Sequence, residues 1–339
     1  MVIQGPSGEQ LRATIREVAR EAGVSPSTVS RALSMPGLVN PVTRERVLRA
    51  AQRLGYEPNR AARGLITGRT GNLGLIVPDL ANPFFPSLVK GVQARAREAD
   101  YAVFLADTDE DPAAESHLVR VLAKQVDGLI LCSPRAREED ILALAGTTTL
   151  VMVNRRFGKV PSVVFDNSDG IRQAVAHLQA LGHRRVAWVG GPRTSWSNRE
   201  RVRALRSATA AAGMELLVVG QFPPQFEGGI AAADLIIASG VTSVVAYNDV
   251  MALGLLGRLR DRGVHVPQDF SVIGIDDIQM SGMSSPTLTT VSLTKEQAGR
   301  AAVDLLLSLL EQPDGVRNVR RELPTQLRVR GSTGVARAN

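Results

Sequence analysis

The chain has 339 residues, room for two or three domains of ordinary size, and its 44% hydrophobic content can fill their cores. No apolar run is long and charge-free enough to span a bilayer. The start MVIQGPSGEQLRA lacks the basic-then-apolar pattern of a secretion signal, and the lone Cys132, inside the apolar run GLILCSP, excludes a disulfide framework. A cytoplasmic protein is expected, with residues 1–11 as a short disordered tail. The net charge of +7 is uneven: residues 1–70 carry 11 Arg against 5 Glu, net +6, whereas the other 29 Lys/Arg and 28 Asp/Glu nearly cancel. A basic first fifth suggests a polyanionic partner there, although charge alone fits a merely solvated basic face equally well.

In ATIREVAREAGVSPSTVSRAL, apolar residues recur at Ile15, Val18, Ala19, Ala22, Val24, Val29, Ala32 and Leu33, the spacing of two helices sharing one core. Thr14 and Glu17 form a capping-box pair, and Gly23 supplies a turn. Ser25 followed by Pro26 is helix-start chemistry. Helix, glycine turn, helix is a helix-turn-helix arrangement. With Val29, Ala32 and Leu33 turned inward, Ser27, Thr28 and Arg31 face outward; short hydroxyls permit close approach to bases, and an arginine can donate two hydrogen bonds to guanine. The alternative is a plain helical hairpin with a solvated face. A third helix is expected in NPVTRERVLRAAQRLGY, capped by Thr43, with Val47, Leu48, Ala51 and Leu54 facing the core and a stop at Gly55. Residues Asn59–Ile66 have room for two further turns after Pro58. Alone they are marginal, and Gly64 weakens them, so they read as a helix ordered by a partner or as a linker.

Beyond Gly71 the rhythm changes. The strand-like runs LGLIVPD, YAVFLADT, VDGLILCS and LVMVN alternate with helical stretches such as 84–99 and 112–125. After SVVFDN the pattern restarts with RVAWVGG, LLVVGQF, SVVAYND and SVIGIDD. Strand–helix alternation twice over predicts two parallel-sheet lobes. Ligands in such sheets collect beyond the carboxyl ends of the strands. Asp79, Ser133, Asn154, Asn248, Asp249, Asp276 and Asp277 stand at those ends. Carboxylates, amides and an arginine fork with aromatic rings nearby suit a small polyhydroxylated ligand. A strand-end Asp also caps a following helix, and that role is expected of Asp249.

TIREVAREAGVSPSTVSRAL, GYEPNRAARGL and GLIVPDLANPFF together resemble the lactose-repressor family of bacterial transcription regulators, from about residue 12 to the C-terminus. The resemblance implies an N-terminal all-α helix-turn-helix head (12–58), a hinge helix and linker (59–70), and a two-lobed α/β sensor with parallel sheets, similar to periplasmic binding proteins (71–339). Its first lobe would hold about 71–165 and 293–322, its second about 166–292 and 323–339. It further implies DNA-reading roles: Ser27, Thr28 and Arg31 in the major groove, Thr14, Ser25, Thr43 and Asn59 on phosphates, and Leu65 as a minor-groove wedge. Phe84, Phe85, Asn154, Arg201, Phe222, Asn248 and Asp276 match effector-binding positions. The chain departs from the family at Pro26, where some members carry a base-reading side chain, and at Ile66, where a basic residue is frequent. Arg201 lies in RVRAL without the usual Gly-Phe, and Asn154 stands where many members have Asp.

No GxGxxG, GxxxxGK[ST], GxSxG or HExxH stands at a useful place. His117, His177, His183 and His265 are scattered and read as surface or packing residues rather than metal ligands, and Asp276 and Asp277 should point to opposite faces rather than form an acid/base couple. No cofactor or metal is expected. The expectation is a non-enzymatic, effector-controlled regulator, a repressor before an activator or a corepressor-dependent one, acting as a cytoplasmic, nucleoid-associated homodimer on a pseudo-palindromic DNA operator. A sugar-binding protein or enzyme with an accessory DNA-binding head is the alternative. The C-terminus RELPTQLRVRGSTGVARAN ends in a strand-like run and a polar tail without the leucine heptads of a tetramer, so residues within 84–99 and 250–262 are candidates for the dimer contact.

Overall fold

The computed structural model describes residues 13–34, 36–56, 68–312 and 318–337. The chain forms two compact units, Met1–Gly71 and Asn72–Asn339. In the first, α1 (Ile15–Ala22) opens with the capping box: Thr14 accepts from the Glu17 amide while the Glu17 carboxylate takes the Thr14 N–H. It ends at Gly23, whose φ of +63° is a conformation that a Cβ would strain. Helix α2 (Pro26–Ser34) starts at the serine–proline pair, and Ser25 Oγ accepts from the Thr28 N–H at 3.2 Å.

Helix α3 (Pro41–Arg53) begins earlier than the sequence suggests. Asn40, not Thr43, is the cap: its Oδ1 accepts from the Val42 N–H at 2.9 Å, and Pro41 takes the first turn, where it needs no donor. That start turns Val47, Ala50 and Ala51 inward, whereas Leu48 and Leu54, expected in the core, are 39% and 38% exposed. The core of the head is Val18, Ala19, Ala22, Val29, Ala32, Val47, Ala50 and Ala51. Alanine at five of these eight positions lets the three helices approach closely.

The second unit holds two six-stranded sheets. The first comprises β1 (Asn72–Val77), β2 (Ala102–Asp107), β3 (Gly128–Cys132), β4 (Leu150–Val153), β5 (Ser162–Phe165) and β11 (Arg320–Leu323), in the order β11-β5-β4-β3-β1-β2 and parallel throughout. The second comprises β6 (Arg185–Gly190), β7 (Glu215–Gln221), β8 (Ser243–Ala246), β9 (Ser271–Asp276), β10 (Thr289–Leu293) and β12 (Thr325–Arg328), in the order β12-β10-β9-β8-β6-β7. Strand β12 runs antiparallel to β10, a departure from wholly parallel sheets. Strands β3, β4, β8 and β9 are buried along their whole length, which is why they read as continuous apolar runs.

Helices α4 (Phe84–Glu98), α5 (Pro112–Leu122), α6 (Glu138–Ala145) and α12 (Lys295–Glu311) accompany the first sheet; α7 (Asn167–Ala180), α8 (Trp196–Ala211), α9 (Phe226–Ala238), α10 (Asp249–Asp261) and the short α11 (Gln279–Met283) accompany the second. The chain passes from one sheet to the other three times: after β5, after β10 and after β11. The polar C-terminal run is not a loose tail. Ser332 is buried, its Oγ donating to the Val272 carbonyl and accepting from the Thr289 N–H, and Gly334 N–H reaches Ser271 Oγ.

Candidate DNA-reading face and effector cleft

At the start of α2, Ser25 Oγ lies 2.8 Å from both Ser27 Oγ and Thr28 Oγ1, a compact hydroxyl cluster on an exposed helix end. Arg31, one turn on, is exposed, and like Arg16, Arg44 and Arg46 it has no carboxylate partner among the described residues. Two other head arginines are matched within the head, Arg49 by Glu45 and Arg53 by Glu21. The face that carries Ser27, Thr28 and Arg31 is therefore cationic and uncommitted. Thr14 spends its hydroxyl on the capping box and Thr43 is half-buried within α3. Asn59 and Leu65 lie outside the described residues.

In the second unit the carboxyl ends of the strands from both sheets meet. Four non-glycine residues there hold left-handed backbone: Ser133 after β3, Asn154 after β4, and Asp276 and Asp277 at the end of β9, with φ of +47°, +57°, +124° and +54°. Such conformations cost on the order of 1–3 kcal/mol each and persist where the surroundings impose them. Asn154 Nδ2 donates to Ser133 Oγ at 2.9 Å, and its carbonyl accepts from Ser197 Oγ of α8 across the cleft at 3.4 Å. Arg156, two residues further in the same loop, stacks on Trp196 with 5.9 Å from guanidinium to ring centre.

Arg201 is the hub on the other side. It is 2% exposed; Nε donates to Asn167 Oδ1 at 3.0 Å, Nη1 to the Tyr247 carbonyl at 2.6 Å, and Nη2 lies 3.6 Å from Asp276 Oδ1. Burial pushes the Asp276 carboxyl up to about 7, against the pull of Arg201. Lys295 Nζ donates to the Asp276 and Asp277 carbonyls and so fixes this strand end. The Asp277 carboxylate pairs instead with Arg330 at 2.6 Å, so the two aspartates have separate partners.

The remaining expected positions divide. Asn248, not Asp249, caps α10: its Oδ1 accepts from the Met251 N–H and its Nδ2 donates to the Pro224 carbonyl. Asp249 is fully buried and accepts from Thr290 Oγ1 at 2.5 Å, Ser281 Oγ at 2.7 Å and the Ile278 N–H at 2.9 Å. Phe84 and Phe85 lie in the main core, Phe84 edge-on to Phe165 at 6.1 Å, and Phe222 is half-buried just beyond β7.

Residues 14–59 match the family described as bacterial regulatory proteins, lacI family, and residues 175–333 match the periplasmic binding protein-like domain. Catabolite control protein A of Priestia megaterium is 33% identical over 334 residues, 95% of this chain and 100% of that protein. The chain belongs to the lacI family. Its members are helix-turn-helix transcription regulators, and this chain is one of them. Among solved structures, the lac repressor dimer bound to operator and the anti-inducer ONPF matches with a TM-score of 0.83 and 29% identity, over 95% of this chain and 99% of that one. The transcriptional regulator CelR in complex with cellobiose matches with a TM-score of 0.70 and 35% identity, over 95% and 100%.

Within this lacI-family sensor, sequence reasoning missed one polar residue at the strand ends of each lobe. Arg135, buried after β3, is held by both Glu110 oxygens at 2.5 and 2.8 Å and donates to the Ser133 carbonyl; although burial opposes its charge, Glu110 keeps it firmly protonated. Tyr247, at the end of β8, meets Ser195 Oγ at 3.0 Å, and its ring packs so closely on Gly191 that a Cβ there would stand 2.5 Å from it. Tyr247 stood inside a recognised strand-end run and was legible by position; no pattern ties Arg135 to Glu110. No helix among the described residues is long and apolar enough to cross a membrane.

Proposed function

We propose that this chain is a cytoplasmic, non-enzymatic repressor whose operator affinity is set by a small polar effector, a sugar or a related metabolite. Ser27, Thr28 and Arg31 read base edges in the major groove; Thr14, Ser25, Thr43 and Asn59 position the head on phosphates; Leu65 wedges the minor groove at the centre of a pseudo-palindromic operator, with residues 59–70 as hinge. The effector sits between the lobes against Asn154, Arg201, Asn248 and Asp276, with Phe84, Phe85 and Phe222 as apolar walls. Two copies bind one operator.

The observation that carries this reading is the buried Arg201–Asp276 pair at the meeting of two sets of strand ends, on a chain that also carries an uncommitted cationic helix face. A site so placed binds: Asp276 and Asp277 have different partners and offer no acid/base couple. Relatives support it, since the similar structures hold operator with an anti-inducer, cellobiose or ribose. Effector binding changes the equilibrium between lobe arrangements, and its influence on DNA is bounded by its difference in affinity for them.

The test is a footprint of the purified protein on the DNA upstream of its own gene, with and without a panel of sugars and nucleosides. Protection of a palindromic site, changed by at least one compound, is expected. Binding that is indifferent to sequence would overturn the operator reading, and turnover of a bound sugar would restore an enzyme.

A further inference from the structure

Among the described residues three arginines are buried, Arg135, Arg155 and Arg201, at 4%, 3% and 2% exposure. Two of them have a carboxylate: Glu110 holds Arg135 at 2.5 Å, and Asp276 lies 3.6 Å from Arg201. Arg155, directly after the turn at Asn154, has no carboxylate partner among those residues. Its Nη1 donates to the Pro134 and Ala136 carbonyls at 2.9 and 2.7 Å, and its buried Nε has no hydrogen-bond partner. The acids that share its field are placed elsewhere. Both Glu115 oxygens accept from the Arg135 and Ala136 amides, at 2.7 and 3.2 Å, and Glu138 is exposed at the start of α6. Burial first, and then the charge of Arg199, pull the Arg155 guanidinium below its ordinary range. Buried charges are ordinarily paired, because an ion taken from water without a counter-charge is costly. Arg155 is the exception among the three.

Across from it stands the start of α8, in the other lobe. The loop that carries Arg155 meets this helix through Ser197 Oγ, which donates to the Asn154 carbonyl at 3.4 Å. It also meets it through Arg156, stacked on Trp196 and 3.9 Å from Glu200. A helix start presents unpaired amides and the positive end of the helix dipole. The capping Ser195 side chain serves only the Asn198 N–H among the amides of that first turn. Arg199, in the same turn, is exposed; its Nη1 donates to the Arg193 and Thr194 carbonyls, and no carboxylate pairs with it among the described residues. Glu200 is taken by Arg156 and Arg203. Unmatched cations thus come to one seam from both lobes.

We propose that this seam binds a phosphoryl group, with the Nε–Nη2 edge of Arg155 on one side and Arg199 with the start of α8 on the other. The assignment rests on the effector reading above and gives the ligand an anionic end. A guanidinium edge makes two parallel hydrogen bonds to an oxyanion. A tetrahedral phosphoryl group then has oxygens left for the second cation and the helix amides, whereas a planar carboxylate has only two oxygens to share. One anion between facing cations replaces repulsion across the seam by attraction through a common partner, so it favours the arrangement in which the lobes meet. A phosphorylated metabolite and free inorganic phosphate both present this chemistry.

The experiment uses the full chain at fixed ionic strength. Its probes are inorganic phosphate, ribose 5-phosphate and glucose 6-phosphate, with ribose, glucose and glucuronate as neutral and carboxylate counterparts. Binding is read by thermal shift and by the fluorescence of Trp196, the tryptophan at the seam. At least one phosphate probe is expected to saturate, and to bind at least tenfold more tightly than ribose, glucose and glucuronate. Saturation by inorganic phosphate alone assigns the free ion, and saturation by a sugar phosphate alone assigns a group carried by the ligand. Arg155→Gln should weaken that probe at least tenfold, with Arg155→Lys, which keeps the charge but not the fork, in between. Arg199→Gln, at an exposed position, should weaken it at least threefold and decides the matter should the Arg155 variants fold poorly. The assignment is overturned if no phosphate probe saturates, if a neutral or carboxylate counterpart binds as tightly, or if both glutamine variants bind phosphate like the parent. The effector reading survives any of these results when a neutral sugar or nucleoside changes the operator footprint, and falls with the assignment when none does.

Discussion

Arg201 and Asp276 face each other at 3.6 Å, both almost wholly withdrawn from water, and each arrives from a different element, α8 and the end of β9. Removing one partner strands the other, which costs roughly 3–5 kcal/mol in a buried pair. Arg201→Ala is therefore expected to lower the thermal transition of the sensor by several degrees, beyond its effect on ligand binding. A variant as stable as the parent would show that the pair carries no structural weight.

The same pair predicts a pH dependence. The Asp276 carboxyl, ordinarily near 3.8, titrates at about 7 in the fold because of burial. Between those values the folded chain keeps a proton that the unfolded chain has shed, so the group's contribution to stability is complete at acid pH and is lost as pH rises through about 7. Asp276→Asn cannot titrate, and its melting temperature relative to the parent should rise from about pH 5 to about pH 8. Parallel profiles would place the Asp276 titration at its ordinary acid value.

On the head, Arg31→Ala should cost roughly 1–3 kcal/mol at one symmetric operator position and leave random-sequence binding nearly intact. Equal losses on both DNAs would make Arg31 a phosphate contact. Affinity for either DNA should also fall with salt at about 0.9 log units per phosphate contact per decade, and a flat response would remove the electrostatic share.

The start of α3 offers a sharper contrast. Asn40→Ala removes the oxygen that accepts from Val42 and should destabilise the head by about 1 kcal/mol, whereas Thr43→Ala should change it little. The head's own melting transition distinguishes the two, and the reverse order would restore Thr43 as the cap.

How much of this was legible depends on where each signal is written. The capping box at Thr14 and Glu17, the turn at Gly23 and the all-buried strands are local, and local chemistry decided them. Strand β10 was hidden because Thr289, Thr290 and Ser292 interrupt its apolar run; Thr290 is satisfied by Asp249 and Thr289 by the C-terminal segment, partners 41 and 44 residues away. The neighbours Asn248 and Asp249 could each cap α10 by type, and only the tertiary acceptor network around Asp249 separates their roles. Asp276 was legible at a strand end and Arg201 by family pattern, whereas Arg135 and Glu110 pair across 25 residues by geometry alone.

The three passages of the chain between the two sheets make the lobes topologically inseparable. Neither is one continuous piece of sequence, so neither can be expressed alone, traded between relatives at one junction, or freed by one proteolytic cut. The head is one continuous segment, joined to the second unit at one point of the chain. Recombination between two genes of this kind can therefore exchange the operator read without disturbing the ligand sensed, whereas a new sensor has to arise by substitution within a frame that descends whole.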